Sequence, residues 1–340
     1  MSVKLSILDQ SPIFKGETAR EAFGHTLELA RKAEQWGYHR FWVSEHHDTG
    51  SFVAGTSPEV LISYLLARTE RIRIGSGGVM LQHYSPLKVA ENFNVLATLA
   101  PGRVDLGVGR APGGLHRSTK ALQQGFGEGA LSLDEKIAEL KRYVDDALPD
   151  DHPFAGLKAY PVPPTAPELH LLGGSESSAE LAAKLGLSYV FAQFINSSEE
   201  TFEKSVRAYY GKFNGEGGAK PRLIVGVYAI VAGTDEEAAS LRTEHKIVKV
   251  RLESGRSVNL GSVEQAEQYG KESGEPYELE IQDPIIHHGS PGTVREKLLA
   301  FASRYGIEEL IVTTMVQDSA KRLRSYELLA EAFARVPAEG

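Results

Sequence analysis

The chain has 340 residues, 41% hydrophobic and 24% charged, enough to bury one large core. A formal charge of −8 and a pI near 5.8 argue against nucleic acid or an anionic membrane as a partner. The absence of cysteine excludes disulfides, thiolate nucleophiles and thiolate metal ligands.

The opening apolar run is broken by Asp9, too soon for a signal peptide, and no segment approaches a membrane span, so a cytoplasmic protein is expected. Short apolar runs then alternate with helical patterns. Strands are expected to begin near Val3, His39, Ile72, Arg103, Glu168, Leu187, Arg222 and Glu308. Each precedes a helix and lacks a hairpin partner, which is the pattern of repeated βα units. Capping boxes mark helix starts at Thr18 with Glu21, Ser132 with Glu135, Ser177 with Glu180, Ser197 with Glu200 and Thr234 with Glu237. Serine followed by proline at 57–58, 85–86 and 290–291 marks three more. The predicted fold is α/β: a single (β/α)8 TIM barrel over residues 1–340, with insertions. Residues 111–130, rich in Gly and Ala, and the proline-rich residues 149–167 are expected above the barrel mouth. The polar stretch 253–289, between the seventh strand and the helix at Pro291, is expected to be a lid or a poorly ordered loop.

Reactive residue types collect where three successive strands stop: Glu45-His46-His47-Asp48, Gly77-Gly78-Val79-Met80 and Gly109-Arg110. In a parallel barrel these strand ends carry the site. The first cluster could simply satisfy local backbone. A metal site needs three or four converging ligands, but His287 and His288 lie in the insertion and the last strand ends without an acid, at Thr313-Thr314-Met315. No metal is expected. An imidazole at this place suits proton transfer, because its free pKa lies near neutrality. The glycines at 75, 77 and 78 allow close backbone approach to a flat ligand. The run 107–114 has neither the G-x-G-x-x-G spacing nor a P-loop lysine, so it is not read as a nucleotide fingerprint. Arg110 offers a guanidinium to a phosphate or to a neighbouring carboxylate. Gly173-Gly174-Ser175-Glu176-Ser177-Ser178 opens a helix, and hydroxyls at a helix N-terminus form an anion site. Ser177 is expected as the cap, leaving Ser175 and Ser178 for the ligand.

Together, Trp42-x-x-Glu45-His46-His47, Gly75-Ser76-Gly77-Gly78-Val79-x-Leu81 and Pro101-Gly102-Arg103-x-Asp105-Leu106-Gly107-Val108-Gly109-Arg110 resemble the bacterial luciferase-like flavin monooxygenase family. The likeness covers nearly the whole chain and is weakest between about 114 and 167. It implies FMN as cofactor, His46 as the catalytic residue and a cis peptide joining Gly77 to Gly78. It also implies cofactor contacts from Glu45, Gly77, Gly78 and Met80, and a phosphate site from Arg110, Gly174, Ser175 and Ser178. Luciferase itself has an acidic residue where Gly174 stands. The implied reaction uses dioxygen and reduced FMN from a separate flavin reductase to oxygenate a small organic substrate. Aldehydes, alkanes, sulfonates and larger natural-product intermediates stay open as substrates. A homodimer is implied through the helices after the second and third strands, where Ala67, Ala90 and Ala97 would permit close approach. The family's mobile active-site loop falls on 253–289. Two other readings remain: a deazaflavin-dependent oxidoreductase, whose relatives resemble Ser-Asp-His at the second strand, and a non-catalytic flavin-binding protein.

Overall fold

The computed structural model describes residues 3–48, 52–109, 111, 113–127, 130–244 and 246–334. Along them the chain forms β1 (Lys4–Asp9), α1 (Ala19–Gln35), β2 (Arg40–Val43), α2 (Pro58–Leu66), β3 (Arg73–Val79) and α3 (Pro86–Leu99). It continues through β4 (Val104–Gly109), α4 (His116–Leu122), α5 (Leu133–Val144), β5 (Glu168–Gly173), α6 (Glu176–Lys184), β6 (Ser188–Ala192) and α7 (Glu199–Gly211). After β7 (Leu223–Val231) and α8 (Asp235–Ser240) come β8 (Ile247–Leu252), β9 (Ser257–Leu260), α9 (Val263–Ser273), β10 (Tyr277–Gln282) and β11 (Ile286–Gly289). The described chain ends with α10 (Pro291–Tyr305), β12 (Glu309–Thr313) and α11 (Ser319–Phe333).

Strands β1 to β7 and β12 close into an eight-stranded parallel barrel, because β6 pairs with β7 and β12 joins β7 to β1. All eight start within one residue of the expected positions. Outward strand residues such as Ile7, Phe41, Ile74, Leu106 and Val225 pack against the helices in one continuous core. Each large side chain buried in this way contributes about 1.5–3 kcal/mol. Inside the barrel, Leu8, Trp42, Val190, Ile224 and Ile311 form an apolar plug.

Toward the strand N-termini the interior is ionic. Arg40, fully buried, donates to Asp105 at 2.9 Å and Glu309 at 2.7 Å, and Arg73 meets Asp105 at 2.5 Å. Arg222 pairs with Glu168, and Trp42 Nε1 donates to Asp105 at 2.9 Å. Asp105, Glu168 and His170 converge as metal ligands could, but three guanidiniums already satisfy these carboxylates. The barrel interior is therefore filled at this end.

The caps at Thr18 and Ser132 form the expected reciprocal boxes. Two others shift. Ser175, not Ser177, caps α6, because Ser178 answers it at the third helical position. Ser198, not Ser197, caps α7.

The insertion is a folded unit that begins earlier than expected, at Ile247. Strands β8, β9 and β10 form an antiparallel sheet under α9, with Val248, Val250, Leu252, Ala266 and Tyr269 in a separate core. Leu115, beside α4, joins that core, and His116 stacks on Tyr269 with ring centroids 4.2 Å apart. On the far side Asn259 donates to the carbonyl of Ile195 at 2.8 Å. The unit thus reaches from the loop after β4 to the loop after β6. Residues 149–167 do not lie above the mouth. They lead from α5 into β5, and Ala159 accepts a 2.7 Å bond from Asn94 of α3.

Candidate active site

The end of β2 is built around Glu45, which is fully buried. One carboxylate oxygen accepts the main-chain N–H of Met80 at 2.9 Å. The other accepts the hydroxyl of Tyr84 at 2.5 Å and lies 2.7 Å from His47 Nε2. Burial, reinforced by the bond to Glu45, pushes the Tyr84 phenol well above its ordinary range. Glu45 therefore ties the end of β2 to the end of β3, with its oxygens turned toward protein donors. Tyr84 is a member of this site that the sequence did not disclose, since nothing in its flanking residues links it to Glu45.

His46 is partly buried. Burial drives its pKa down to about 4, Glu45 opposes this and His47 adds to it. With its pKa held low, the imidazole is favoured in its neutral form. Its Nδ1 lies 3.1 Å from the hydroxyl of Ser44, a second residue passed over in the sequence. His47 donates its main-chain N–H to Gly113 at 2.6 Å, and Asp48 pairs with Arg117, so the loop after β2 is joined to the segment leading into α4.

Beside them lies a glycine floor. The Gly77–Gly78 peptide is cis. A Cβ on Gly77 would stand 2.7 Å from Leu8 Cδ1, and one on Gly78 would stand 2.7 Å from the carbonyl oxygen of Gly107. Gly78 meets backbone and cannot carry a side chain, whereas at Gly77 the Leu8 methyl would have to move aside. The register between β3 and β4 shifts between Gly77 and Val79. Met80, buried, follows directly.

Across the rim, α6 presents its N-terminus, with Ser175, Ser177 and Ser178 hydroxyls near one another at 3.1 Å. Ser178 is buried, donates to the carbonyl of Ser175 and lies 3.0 Å from the hydroxyl of Tyr189. The carbonyl of Gly174 accepts from Asn196 at 2.7 Å, which fixes the turn. Arg110 lies outside the described residues. His287 and His288 sit on β11, which pairs in parallel with the outer part of β7; the His287 ring packs 6.0 Å from Phe301 of α10.

Ala90 and Ala97 are buried in the core and cannot offer close approach to another copy; Ala67 is exposed. The apolar surface on those helices is instead Val60 and Tyr64 of α2 with Val95 and Leu99 of α3, at 69%, 45%, 43% and 72% exposure. No helix among the described residues is long and apolar enough to cross a membrane.

The family model for luciferase-like monooxygenases matches residues 3–308. The chain is 46% identical to an N-acetyl-S-alkylcysteine monooxygenase of Bacillus subtilis (strain 168), over 97% of this chain and 98% of that protein. The crystal structure of apo-MsnO8 superposes with a TM-score of 0.78 at 37% identity, covering 98% of both chains. The fold extends to an oxygenating constituent of 3,6-diketocamphane monooxygenase from Pseudomonas putida in complex with FMN, at TM-score 0.71 and 19% identity over 98% of both chains. It also extends to an F420-dependent secondary alcohol dehydrogenase, at TM-score 0.63 and 16% identity over 98% of this chain and 100% of that one. The match along the chain, on a closed barrel with its glycine floor and strand-end histidine, means that this protein belongs to the luciferase-like monooxygenase family of oxidoreductases.

Proposed function

We propose that the protein is an FMN-dependent monooxygenase that inserts one atom of dioxygen into a small organic substrate, working in the cytoplasm with a separate flavin reductase. The observation that carries this reading is the geometry at the end of β2, where His46, its ring 3.1 Å from Ser44, stands beside the Gly77–Gly78 floor, and Gly78 leaves no room for a Cβ. The residues fit the group: a flat ring system can lie on that floor. The phosphate would be held by Arg110, Gly174, Ser175 and Ser178, where the α6 dipole favours an anion. Met80 would border the ring, with Glu45 fixing its main chain from below. Bound reduced FMN supplies the electrons that activate dioxygen. His46 would hydrogen-bond at the reacting centre.

The insertion would act as the roof that keeps water out. Its bridging contacts to α4 and to Ile195 support that role. Glu-His-His at the second strand favours FMN over a deazaflavin. As substrate class we propose a small thioether with a polar head, on the strength of the 46% identity to the N-acetyl-S-alkylcysteine enzyme. A homodimer through the exposed α2 and α3 residues completes the reading, to be checked by sedimentation of wild type against Leu99→Asp.

The deciding experiment mixes protein loaded anaerobically with reduced FMN with oxygenated buffer, with and without an N-acetyl-S-alkylcysteine. Reoxidation kinetics unlike free FMN, with formation of the sulfoxide or its breakdown products, is expected in wild type and lost in His46→Ala. Reoxidation identical to free FMN would overturn the monooxygenase reading; tight FMN binding without turnover would leave a flavin carrier.

A further inference from the structure

His46 is held by its own backbone, by that of Ser44 two residues before it, and through its ring. The main-chain N–H of Ser44 donates to Asp9 at 3.1 Å, and that of His46 donates to Gly55 at 2.9 Å. These bonds set where the residue stands. Among the described residues the ring hydrogen-bonds one side chain, Ser44, whose Oγ is 3.1 Å from Nδ1. Nε2, on the far side of the ring, has no hydrogen-bond partner among the described residues. The carboxylate of Glu45 does not compete, because Met80, Tyr84 and His47 engage it.

Ser44 is 4% exposed, and Nδ1 of His46 is the one acceptor its hydroxyl meets among the described residues. A hydroxyl has a single proton to donate, and a buried donor left unmade costs about 1–3 kcal/mol. If Nδ1 carried the imidazole proton and donated to Oγ, the hydroxyl proton would have no acceptor. The reverse arrangement gives the hydroxyl its acceptor and leaves the ring N–H on Nε2, on a residue only partly buried, free to meet water or a ligand. It also decides where the imidazole proton resides, since a neutral ring has only one.

We infer that Ser44 is a positioning residue: its hydroxyl donates to Nδ1 of His46, fixing the imidazole in the form that carries its proton on Nε2 and presents that N–H beyond the end of β2. The consequence for chemistry rests on the monooxygenase reading. An N–H facing the reacting centre stabilises negative charge developing on oxygen; it does not abstract a proton. The assignment of the proton itself is independent of any flavin.

The test is nitrogen–proton correlation spectroscopy of ligand-free protein labelled at histidine, with the His46 signals assigned by their loss in His46→Gln. Wild type and Ser44→Thr should show His46 with its proton on Nε2. In Ser44→Ala the two forms should approach equal population, a several-fold change in their ratio, while FMN affinity stays within about twofold. A wild-type spectrum with the proton on Nδ1 would overturn the inference, as would a Ser44→Ala spectrum that matches wild type. Should Ser44→Ala fail to fold, the wild-type spectrum and the Ser44→Thr comparison still decide. Failure of the flavin reading would appear in the reoxidation experiment and leave these spectra unchanged.

Discussion

Glu45 at the end of β2 accepts the main-chain N–H of Met80 at the end of β3, at 2.9 Å and out of contact with water. One carboxylate thereby sets the spacing between the strand end that carries His46 and the strand end that carries the glycine floor. Parallel strands end without hairpins to hold their tips together, so a side chain has taken over that task.

Glu45→Ala should therefore lower stability and loosen the flavin site together. It leaves the Met80 N–H without an acceptor and takes from the Tyr84 hydroxyl its 2.5 Å carboxylate partner; a buried bond left unmade costs about 1–3 kcal/mol. Tyr84→Phe removes one donor while the carboxylate keeps others, and should cost only about 1 kcal/mol. Urea denaturation of both variants checks the ranking; equal losses would show that Glu45 does not bridge the strands.

Gly78→Ala places a Cβ against the backbone oxygen of Gly107, where neither side can yield easily. A destabilisation of about 1–3 kcal/mol is expected, with at least a tenfold loss of FMN affinity by fluorescence titration. Gly24→Ala, in open space on α1, is the control. It should be neutral or stabilise by up to about 1 kcal/mol.

Acid should destabilise the fold in two stages. Burial holds the imidazoles of His39, His46 and His287 near pKa 4, so the unfolded chain takes up those protons first as pH falls from about 6.5 to about 4. Stability declines across that window, and His46→Gln should reduce the slope. Burial alone would raise Asp105, but Arg40, with nearby His170 and Arg73, holds its carboxyl well below the usual range. Its stabilisation is complete above about pH 4 and is lost below it. Asp105→Asn should cost about 3–5 kcal/mol at neutral pH and flatten the acid limb, read from denaturation midpoints against pH.

Tyr269→Ala removes the ring on which His116 stacks, freeing the insertion from α4. The variant should release several times more hydrogen peroxide per FMN oxidised than wild type, with a raised KM and little change in FMN affinity. Unchanged coupling of oxidation to product would argue against a roof that excludes water.

The barrel was legible because each strand is a short apolar run followed by a marked helix start, and burial on both faces leaves no alternation to misread. His46 and the two glycines stood out through their place at strand ends. Arg40 did not. A charged residue at the start of a strand looks exposed until its partners Asp105 and Glu309, 65 and 269 residues away, are brought to it. The α6 cap was misassigned because serines at 175, 177 and 178 all suit the position, and Glu180 completes a box only on paper. The insertion read as irregular because its strands keep one face in solvent and its apolar residues are sparse. Alanines 90 and 97 point inward, which composition cannot reveal.

The insertion closes around its own apolar residues, joined among the described residues by buried Leu115, while the histidine, the glycines, the apolar plug and the ionic cluster all belong to the barrel strands or their tips. Ceiling and hearth are thus separately built. Residues 247–282 can be redrawn, shortened or exchanged with a relative's as one unit without refolding the barrel beneath. A change in which molecules are oxidised need not disturb how they are oxidised, and libraries aimed at new substrates belong in that stretch.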